Sequence, residues 1–560
     1  MPEKMTETVK IYCENNNSNL FVNFGTTLAQ VAEILALKND HPFLAAYVNN
    51  RLKELDFAIY SPLSIRFIDI THFEGMRVYQ RTLFFALQKA TYDLFPENKL
   101  QIKHSVAKGF YCEMKGMDEV SEDDLSKITA RMKVLVEQNI PIVRQKVTSV
   151  EAEEIYASQG FDDKVALLRT RPNLYVTMYS LADLSGFFYG ALAPSTSYIY
   201  LFELTKYFKG FHIAVPRRSD PAKLEKMVPQ DKMFDVFNEY TEWMSIIGVA
   251  NIGALNSYIL HKEGNDLIKI AEAFHEKKLG HIADAIFARH KAGGSRVILI
   301  SGPSSSGKTT FAKRLGIQLR IMGLQPMMIS LDDYFVDREK TPRDTTGEYD
   351  YEALEAIDLK LFNVDLKKLL AGEEVDIPRY DFITGTRTYK GNMLKLNEHS
   401  VLVIEGIHGL NPKLTTNISA DMQYKIYVSA LTSIAMDNLT RIATTDNRLL
   451  RRIVRDHRTR GANAVDTLRR WESVRRGEDK YIFPNQEQAD IMFNSSLFYE
   501  ISVLKSHIEP LLYEVPDTVP EFGEVRRLLK FLDQFVPQDG SEVPLTSILR
   551  EFVGGSSFTY

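Results

Sequence analysis

A short loop rich in glycine and serine carries the side chains best suited to phosphate chemistry. Gly302, Gly307, Lys308 and Thr309 follow the spacing G-x-x-x-x-G-K-T within RVILISGPSSSGKTTFAKRL, residues 296–315. The glycines let backbone N–H groups curl around phosphate oxygens, Lys308 adds a positive charge, and the Thr309 hydroxyl suits Mg²⁺. A helix predicted to begin near Gly307 adds the positive end of its dipole. The pattern predicts a phosphate loop (P-loop), which kinases, GTPases, motors and ATP-driven regulators share.

Acidic residues follow two predicted strands at the edge where such a loop binds its ligand. Asp332 and Asp333 come after the apolar run MMISL, and Glu405 ends the run HSVLVIE. In an open parallel sheet, ligands bind at the C-terminal ends of the strands. A carboxylate there is suited to accept the proton of an acceptor hydroxyl or to join a Mg²⁺ shell. The alternatives are a helix cap or solvated turn for the aspartates and a structural role for Glu405.

An arginine-rich helix is predicted farther along the chain. Its sequence, NRLLRRIVRDHRTRGAN over 447–463, contains six arginines. Arg448, Arg452 and Arg455 share one helical face by their spacing. So many guanidinium groups indicate either a solvated helix face or a lid that closes on phosphates, and the nearby P-loop favours the lid.

The elements that must position these residues belong to a large chain of ordinary composition. The 560 residues predict three or four domains, and 44% apolar with 25% charged residues is typical of globular proteins. A net charge of −5 excludes a global basic field for nucleic acid or anionic membranes. Two cysteines, Cys13 and Cys112, exclude a disulfide framework and favour the cytoplasm. No signal-like segment or long apolar run is found, so no membrane association is expected.

The pattern of predicted elements divides the chain into α+β and α/β regions. Short strands surround one helix over 8–70, and an α+β pattern covers 75–215. A mostly helical stretch leads to the linker KAGGS, after which strands and helices alternate to about 515, which predicts a parallel sheet. We therefore predict a small domain at 1–72, an α+β domain at 73–215, a helical connector at 216–292, a P-loop domain at 293–515, and a C-terminal helix and tail at 516–560.

Residues 296 to about 500 resemble the uridine kinase and phosphoribulokinase family of P-loop kinases. The motifs that carry the resemblance are GPSSSGKTT, LDDYF, YDYEALEAIDLKLF, IPRYDF, VIEGIH and RRIVRDHRTRG, in that order. The resemblance implies ATP and Mg²⁺ as cofactors and a nucleoside as phosphoryl acceptor. The implied roles are catalysis by Asp332 (the base), Lys308 and Arg455; metal binding by Thr309 and Glu405; nucleoside binding by Asp350, Tyr380 and Arg452; and ATP binding by Gly302, Ser304, Ser305, Ser306, Gly307, Lys308, Thr309, Thr310 and Arg460.

Two positions depart from the family pattern. The stretch YDFITGTR has Gly385 about where uridine–cytidine kinases carry a histidine that reads the pyrimidine, and Ala462 replaces the final arginine of the lid. The kinase class is unaffected by these changes, whereas the identity of the nucleobase is left open.

The N-terminal half resembles modules of threonyl-tRNA synthetase. Residues 8–70 are similar to the β-grasp TGS domain, and 75–215 to the editing domain. That domain needs an H-x-x-x-H pair and a later cysteine and histidine. Here Tyr79 and Leu83 stand at the first pair, and DLSGFFYGAL lacks both later residues, so no zinc site is expected. His72 and His104 are expected to be ordinary surface or loop histidines.

Three functions compete on these grounds. The first is a kinase for the 5′-hydroxyl of a ribonucleoside, uridine or cytidine. The second is a regulatory P-loop NTPase that acts on tRNA or the ribosome, although an [NT]-K-x-D guanine-reading motif is missing; the third is an editing hydrolase. Nucleic-acid binding through the N-terminal half, for example by Lys99, Lys103, Lys108 and Lys115, is not favoured, and an oligomer remains open.

Overall fold

The computed structural model describes residues 7–344, 347–382 and 384–560. The first unit is a five-stranded sheet with one helix. Its strands are β1 (Thr8–Cys13), β2 (Ser18–Asn23), β3 (Ala45–Val48), β4 (Arg51–Lys53) and β5 (Leu63–Ile68), in the order β2-β1-β5-β3-β4, with α1 (Leu28–Ile34) between β2 and β3. Thr27 starts α1 with a capping box closed by Gln30, as its Thr and Gln spacing favours. Asn49 and Asn50 take positive φ angles and turn the β3–β4 hairpin.

The second unit packs two antiparallel sheets around a long buried helix, α2 (Phe73–Leu94). Its remaining elements are β6 (Lys99–Val106), β7 (Gly109–Lys115), α3 (Glu122–Glu137), β8 (Ile142–Thr148), α4 (Ser149–Ser158), α5 (Asp162–Arg169), β9 (Tyr175–Leu181), β10 (Leu184–Gly186), β11 (Glu203–Tyr207) and β12 (Gly210–Ala214). The sheet orders are β11-β12-β7-β6 and β10-β9-β8. Every residue of α2 from 82 to 91 is buried, including the polar Thr82, Gln88, Lys89 and Thr91.

The connector is helical only after an initial hairpin. The strands β13 (Pro216–Arg217) and β14 (Asp220–Leu224) precede α6 (Asp231–Ile246), α7 (Ile252–Leu260) and α8 (Gly264–Lys291). The helical pattern expected within the connector, 216–292, thus begins at α6, and the hairpin before it was not expected. Two short strands held by a local turn give too little alternation to be recognised in a sequence.

The P-loop region is built on a five-stranded parallel sheet, as the alternating pattern predicts. Its elements are β15 (Val297–Ser301), α9 (Lys308–Ile321), β16 (Gln325–Ser330), α10 (Leu359–Leu370), β17 (Val375–Asp376), β18 (Arg379–Asp381), β19 (Thr386–Thr388), β20 (Met393–Leu394), β21 (Ser400–Glu405), β22 (Gln423–Ser429), α11 (Thr444–Arg460), α12 (Ala464–Gly477), β23 (Ile491–Asn494) and α13 (Glu500–Tyr513). The order β16-β21-β15-β22-β23 places β15 at the centre. The predicted fold class, a multidomain protein with α+β and α/β parts and a parallel sheet, is confirmed.

The C-terminal residues contact both the first unit and the P-loop region. Helix α14 (Phe522–Leu532) packs against the first unit, and the short α15 (Arg550–Val553) lies against α9 and α11. One apolar core contains Leu83 of α2, Leu450 of α11 and Leu528 of α14. In the described part of the chain, no helix is long and apolar enough to cross a membrane.

Candidate active site

The P-loop connects the central strand β15 to helix α9 and wraps tightly. A Cβ atom on Gly302 would lie 1.9 Å from the Val428 carbonyl oxygen, and Gly307 has a φ of +80°, so glycine suits both positions. The hydroxyls of Ser305 and Ser306 are buried without a hydrogen-bond partner. Lys308 Nζ donates to the Pro303 carbonyl, at 3.1 Å. Orphaned hydroxyls beside a lysine and a helix N-terminus fit the phosphates of a nucleotide.

The metal-binding candidates meet at the ends of β16 and β21. The hydroxyls of Thr309 and Ser330 both donate to Glu405 Oε1, at 3.1 and 3.2 Å. Burial and the nearby negative charge of Asp332 raise the pKa of Glu405 to about 7, and Lys308 opposes this rise. A hydroxyl and a carboxylate are the hard oxygen ligands that Mg²⁺ accepts, with phosphate oxygens and water completing the shell. These two residues therefore fit the cation.

Asp332 and Asp333 take different positions in a 3₁₀ turn after β16. Asp333 Oδ1 accepts from the Tyr380 backbone N–H at 3.2 Å, which ties it to β18. Asp332 is half-buried, and its charge raises the pKa values of both Glu405 and Glu352. The side chain of Asp332 thus belongs to the same electrostatic cluster as Glu405 and Lys308.

The residues predicted to bind a nucleoside do not all lie together. Asp350 accepts a long hydrogen bond from the Tyr481 hydroxyl at 3.5 Å. Tyr380 packs among aromatic rings, 5.6 Å from Phe335 and 5.1 Å from Phe382 between ring centroids. Arg452 instead contacts the P-loop, because its Nη1 donates to Ser304 Oγ at 2.7 Å. The described residues therefore show an aromatic face at Tyr380 but no pairing of Asp350 with Arg452.

Gly385 has a φ of +74° and leaves room that the side chain of Arg338 fills. A Cβ atom on Gly385 would lie 2.8 Å from Arg338 atoms, and Arg338 donates to the Phe382 carbonyl at 2.6 Å. The Arg338 side chain thus occupies the space beside Gly385, the position at which the resemblance implied a base-reading histidine. Arginine donates hydrogen bonds but accepts none, which changes the readout of a base.

Helix α11 is largely buried, which rules out the interpretation as a solvated face. Arg448 donates to the Ser304 carbonyl at 3.1 Å and forms a bidentate ion pair with Glu478 at 2.5 and 2.7 Å. Arg451 pairs with Glu500 and donates to the Ser305 carbonyl at 3.4 Å. Two arginines of α11 thereby brace the backbone of the P-loop.

The arginines predicted to clamp phosphate lie at the C-terminal end of the same helix. Arg455 donates to Asp456 Oδ1 at 2.9 Å, and Arg460 lies 3.6 Å from the same oxygen. Repulsion from Arg455, together with burial, lowers the pKa of Arg460 to about 10. Their repulsion, which Asp456 only partly relieves, favours a further anion beside them.

The sequence did not predict two acidic residues of the site. Glu478 Oε1 accepts the Ser304 backbone N–H at 2.9 Å, so a carboxylate occupies a donor of the P-loop. Burial and repulsion from Glu478 raise the pKa of Glu352 to about 7. Glu352 lies within the quoted motif YDYEALEAIDLKLF, whereas no motif marked Glu478.

The C-terminal tail, residues 545–560, also reaches the P-loop. The Thr310 hydroxyl and backbone N–H both donate to Glu551 Oε2, at 2.6 and 3.3 Å, and Tyr560 OH lies 2.8 Å from the same hydroxyl. A Cβ atom on Gly307 would lie 2.5 Å from Ile548. Thr310, predicted to bind ATP, is therefore occupied by the protein's own carboxylate.

One known protein family is similar to the part of the chain that holds this site. The model of the phosphoribulokinase / uridine kinase family matches residues 297–501. The C-terminal half contains a domain of this family. The kinase domain thus spans the P-loop, the acidic strand ends and helix α11.

Individual proteins are similar to parts of the chain. "Threonine--tRNA ligase" of Francisella tularensis subsp. novicida (strain U112) is 28% identical over 182 residues, which are 32% of this chain and 29% of the ligase. The solved "Structure of a Possible Uridine Kinase from Bacillus stearothermophilus" is 20% identical, covers 38% of this chain and 99% of that chain, and gives a TM-score of 0.26. D-glycerate 3-kinase from Cryptococcus neoformans var. grubii is 15% identical, covers 46% of this chain and 87% of that chain, and gives 0.21.

The chain thus spans less than a third of the length of the ligases it matches, in their editing and TGS region. Tyr79 is buried, and its hydroxyl donates to the Leu201 carbonyl at 2.7 Å, while Leu83 is fully enclosed. Among the described residues, no group of three His, Cys, Asp or Glu side chains is placed to hold a metal ion. Tyr79 and Leu83, at the positions where the resemblance implied histidines, are therefore used for packing.

The expectation that His104 lies on the surface or in a loop is wrong. It is buried in β6 and stacks on Phe237, 4.2 Å between ring centroids. Burial lowers its pKa to about 3. His72 caps α2 by accepting the Glu74 backbone N–H at 3.1 Å. Three of the four lysines considered for nucleic acid contact the protein itself: Lys99, Lys103 and Lys108.

Proposed function

We propose that the kinase domain transfers the γ-phosphoryl group of ATP to the 5′-hydroxyl of a ribonucleoside, uridine or cytidine, with Mg²⁺ as cofactor. The observation that carries the proposal is the convergence of Lys308, Thr309, Glu405 and Asp332 at one edge of the sheet. Phosphoryl transfer needs positioning and charge neutralisation more than covalent chemistry, and these residue types supply both.

The proposed mechanism assigns each step to a residue. The P-loop backbone and Lys308 hold the β- and γ-phosphates, and Arg455 and Arg460 stabilise the charge that spreads over the transferred group. Asp332 accepts the proton of the 5′-hydroxyl while the hydroxyl oxygen forms a bond to the γ-phosphorus. The bond from that phosphorus to the bridging oxygen breaks, and ADP leaves. Mg²⁺ bound by Thr309 and Glu405 would neutralise phosphate charge.

The acceptor pocket is proposed to lie beside Tyr380. Its ring forms an aromatic face with Phe382 and Phe335, and Tyr351 lies 6.5 Å from Phe335. Such a face suits a planar base, and Asp350 and Arg452 are proposed to bind the ribose after Arg452 leaves Ser304. Arg338 beside Gly385 would donate to a base carbonyl, which uracil and cytosine both have.

The test is an assay with ATP-Mg²⁺ and a panel of nucleosides, with nucleoside monophosphate as the readout. We expect Asp332→Asn to lower kcat by about 100-fold or more while ATP binding is retained, because general-base catalysis contributes about 10²–10⁴-fold. Asp284→Asn, an exposed aspartate of α8, serves as the matched control. Full activity of Asp332→Asn would reject the base. ADP release at the same rate with and without any nucleoside would favour a regulatory NTPase acting on tRNA or the ribosome, the function suggested by the ligase-like half.

A further inference from the structure

A large cavity lies in the N-terminal half, away from the kinase site. Its volume is about 540 Å³, within the range of small-molecule sites. It is lined mainly by the β4 region of the first unit, by strands β8 and β9 with the segment 187–191 of the second unit, and by helix α14. The part formed by α14 has no counterpart in the ligase-like region, since α14 belongs to the C-terminal end of this chain.

The cavity has an excess of positive charge. Seven basic and four acidic side chains line it, and the acids Glu54, Asp533 and Glu74 are already paired with arginines. Lys53, Arg526 and Lys530 form no ion pair within the described ranges. Burial and repulsion from Arg144 lower the pKa of Lys53. Uncompensated cations around one cavity create a favourable potential for an anion.

One buried arginine retains unused donors in the cavity wall. The side chain of Arg171 is only 7% exposed, and its Nη2 donates to Asp533 at 2.9 Å. Its Nε and Nη1 are buried without a hydrogen-bond partner. A buried donor without a partner is costly, so a ligand that accepts these bonds would be bound favourably.

The remaining wall is aromatic. Phe57, Tyr175, Tyr179, Phe187 and Phe188 line the cavity beside the cations. Aromatic faces and guanidinium groups together suit a planar ring that carries a negative group. We propose that this cavity binds a free organic phosphate of mononucleotide size, with its phosphate among Lys53, Arg171 and Lys530 and its ring against the aromatic wall.

The test measures binding of AMP to the full-length protein by equilibrium dialysis, with adenosine and inorganic phosphate as comparison ligands. We expect AMP to bind at least tenfold more tightly than either comparison ligand. Lys530→Glu and Arg526→Glu, both exposed on α14, should weaken AMP binding at least tenfold. Lys10→Glu, an exposed change on β1, is the matched control and should leave binding unchanged.

Equal affinity of AMP for the control and the α14 variants would overturn the assignment, because the binding would then lie elsewhere. If inorganic phosphate bound as tightly as AMP, the aromatic wall would add nothing to binding, and that part of the proposal would be rejected. Displacement of AMP by bulk tRNA at tenfold lower concentration than by unlabelled AMP would assign the cavity to an RNA end instead of a free ligand. Each variant should unfold at the same temperature as the control, which shows that a loss of AMP binding is not a loss of folding.

A different observation concerns the tail on the P-loop. Arg458 of α11 donates to the carbonyls of Glu551 and Phe552, at 2.7 and 3.1 Å, and Phe552 is buried. The tail is thus held in place while its Glu551 carboxylate takes two donors of Thr310. A phosphate at the same donors would meet a like charge and would have to displace the carboxylate.

We infer that the tail is an autoinhibitory element that competes with the nucleotide for Thr310; this rests on the proposed function. The measurement is the Kd of ATP-Mg²⁺ by calorimetry, which does not need turnover. We expect Glu551→Ala to bind ATP at least fivefold more tightly than the unaltered chain, and Glu551→Gln to show an intermediate gain. Glu542→Ala, an exposed change in the segment before the tail, is the control.

Equal or weaker ATP binding by both Glu551 variants would overturn the autoinhibition and leave the kinase proposal standing. If neither the variants nor the unaltered chain binds ATP, the proposed function fails and the autoinhibition with it.

Discussion

We expect the affinity of the site for Mg²⁺ to depend on pH through Glu405. Burial and the charge of Asp332 raise its pKa to about 7, so its carboxyl group is protonated at a pH where ordinary carboxyl groups are ionised. Only the ionised form ligates Mg²⁺. Below pH 7 each pH unit lowers the ionised fraction by about tenfold. We therefore expect the affinity for Mg²⁺, titrated at a fixed ATP concentration, to fall about tenfold per unit below pH 7 and to level off above it.

Two glutamate-to-glutamine variants separate the pH effect of Glu405 from that of other groups. Glu405→Gln should weaken Mg²⁺ binding and reduce the pH dependence to that of ATP alone. Glu352→Gln should keep it, although burial and Glu478 also raise the pKa of Glu352 to about 7, because Glu352 is not bonded to Thr309. A Mg²⁺ affinity of the unaltered chain that stays constant between about pH 5.5 and 8 would contradict the role of Glu405.

At the scale of elements, the sequence predicts those parts of the site whose signals are local. The P-loop, the strand before it and the helix after it follow from a continuous stretch, and the acids at the ends of β16 and β21 follow from the geometry of parallel strands. The hairpin β13–β14 is too short to give a pattern, and the sequence did not predict it.

Contacts between distant segments could not be predicted in this way. Glu551 lies 241 residues from Thr310, and Glu478 lies 174 residues from Ser304. His104 was expected at the surface or in a loop, but Phe237 of α6 covers it. Charge and periodicity describe what an element prefers, whereas these three positions depend on which element packs beside it.

At the scale of the whole molecule, a buried ion-pair network joins the ligase-like half to the kinase domain. Asp446, in the first turn of α11, accepts from Arg527 of α14 at 2.8 and 2.9 Å and from Arg77 of α2 at 3.2 Å. Glu524 of α14 joins the same arginines, whose attraction outweighs burial and lowers its pKa to about 2. Separately, Lys164 of α5 pairs with the fully buried Asp437 at 2.7 Å. The two halves therefore share one core and its charges.

Asp446→Ala tests how far the two halves depend on this network. The change leaves Arg77 and Arg527 buried with less negative charge around them, and removal of one partner of a buried ion pair costs about 3–5 kcal/mol of unfolding free energy. We expect urea denaturation to show a loss in this range for Asp446→Ala, and no measurable loss for Asp284→Ala on the exposed face of α8. Because α11 also braces the P-loop through Arg448 and Arg451, ATP affinity should fall in Asp446→Ala at urea concentrations well below its unfolding midpoint. A stability within 1 kcal/mol of the unaltered chain would mean that Glu524 and Glu74 alone satisfy the two arginines, and that the halves are held together by apolar packing.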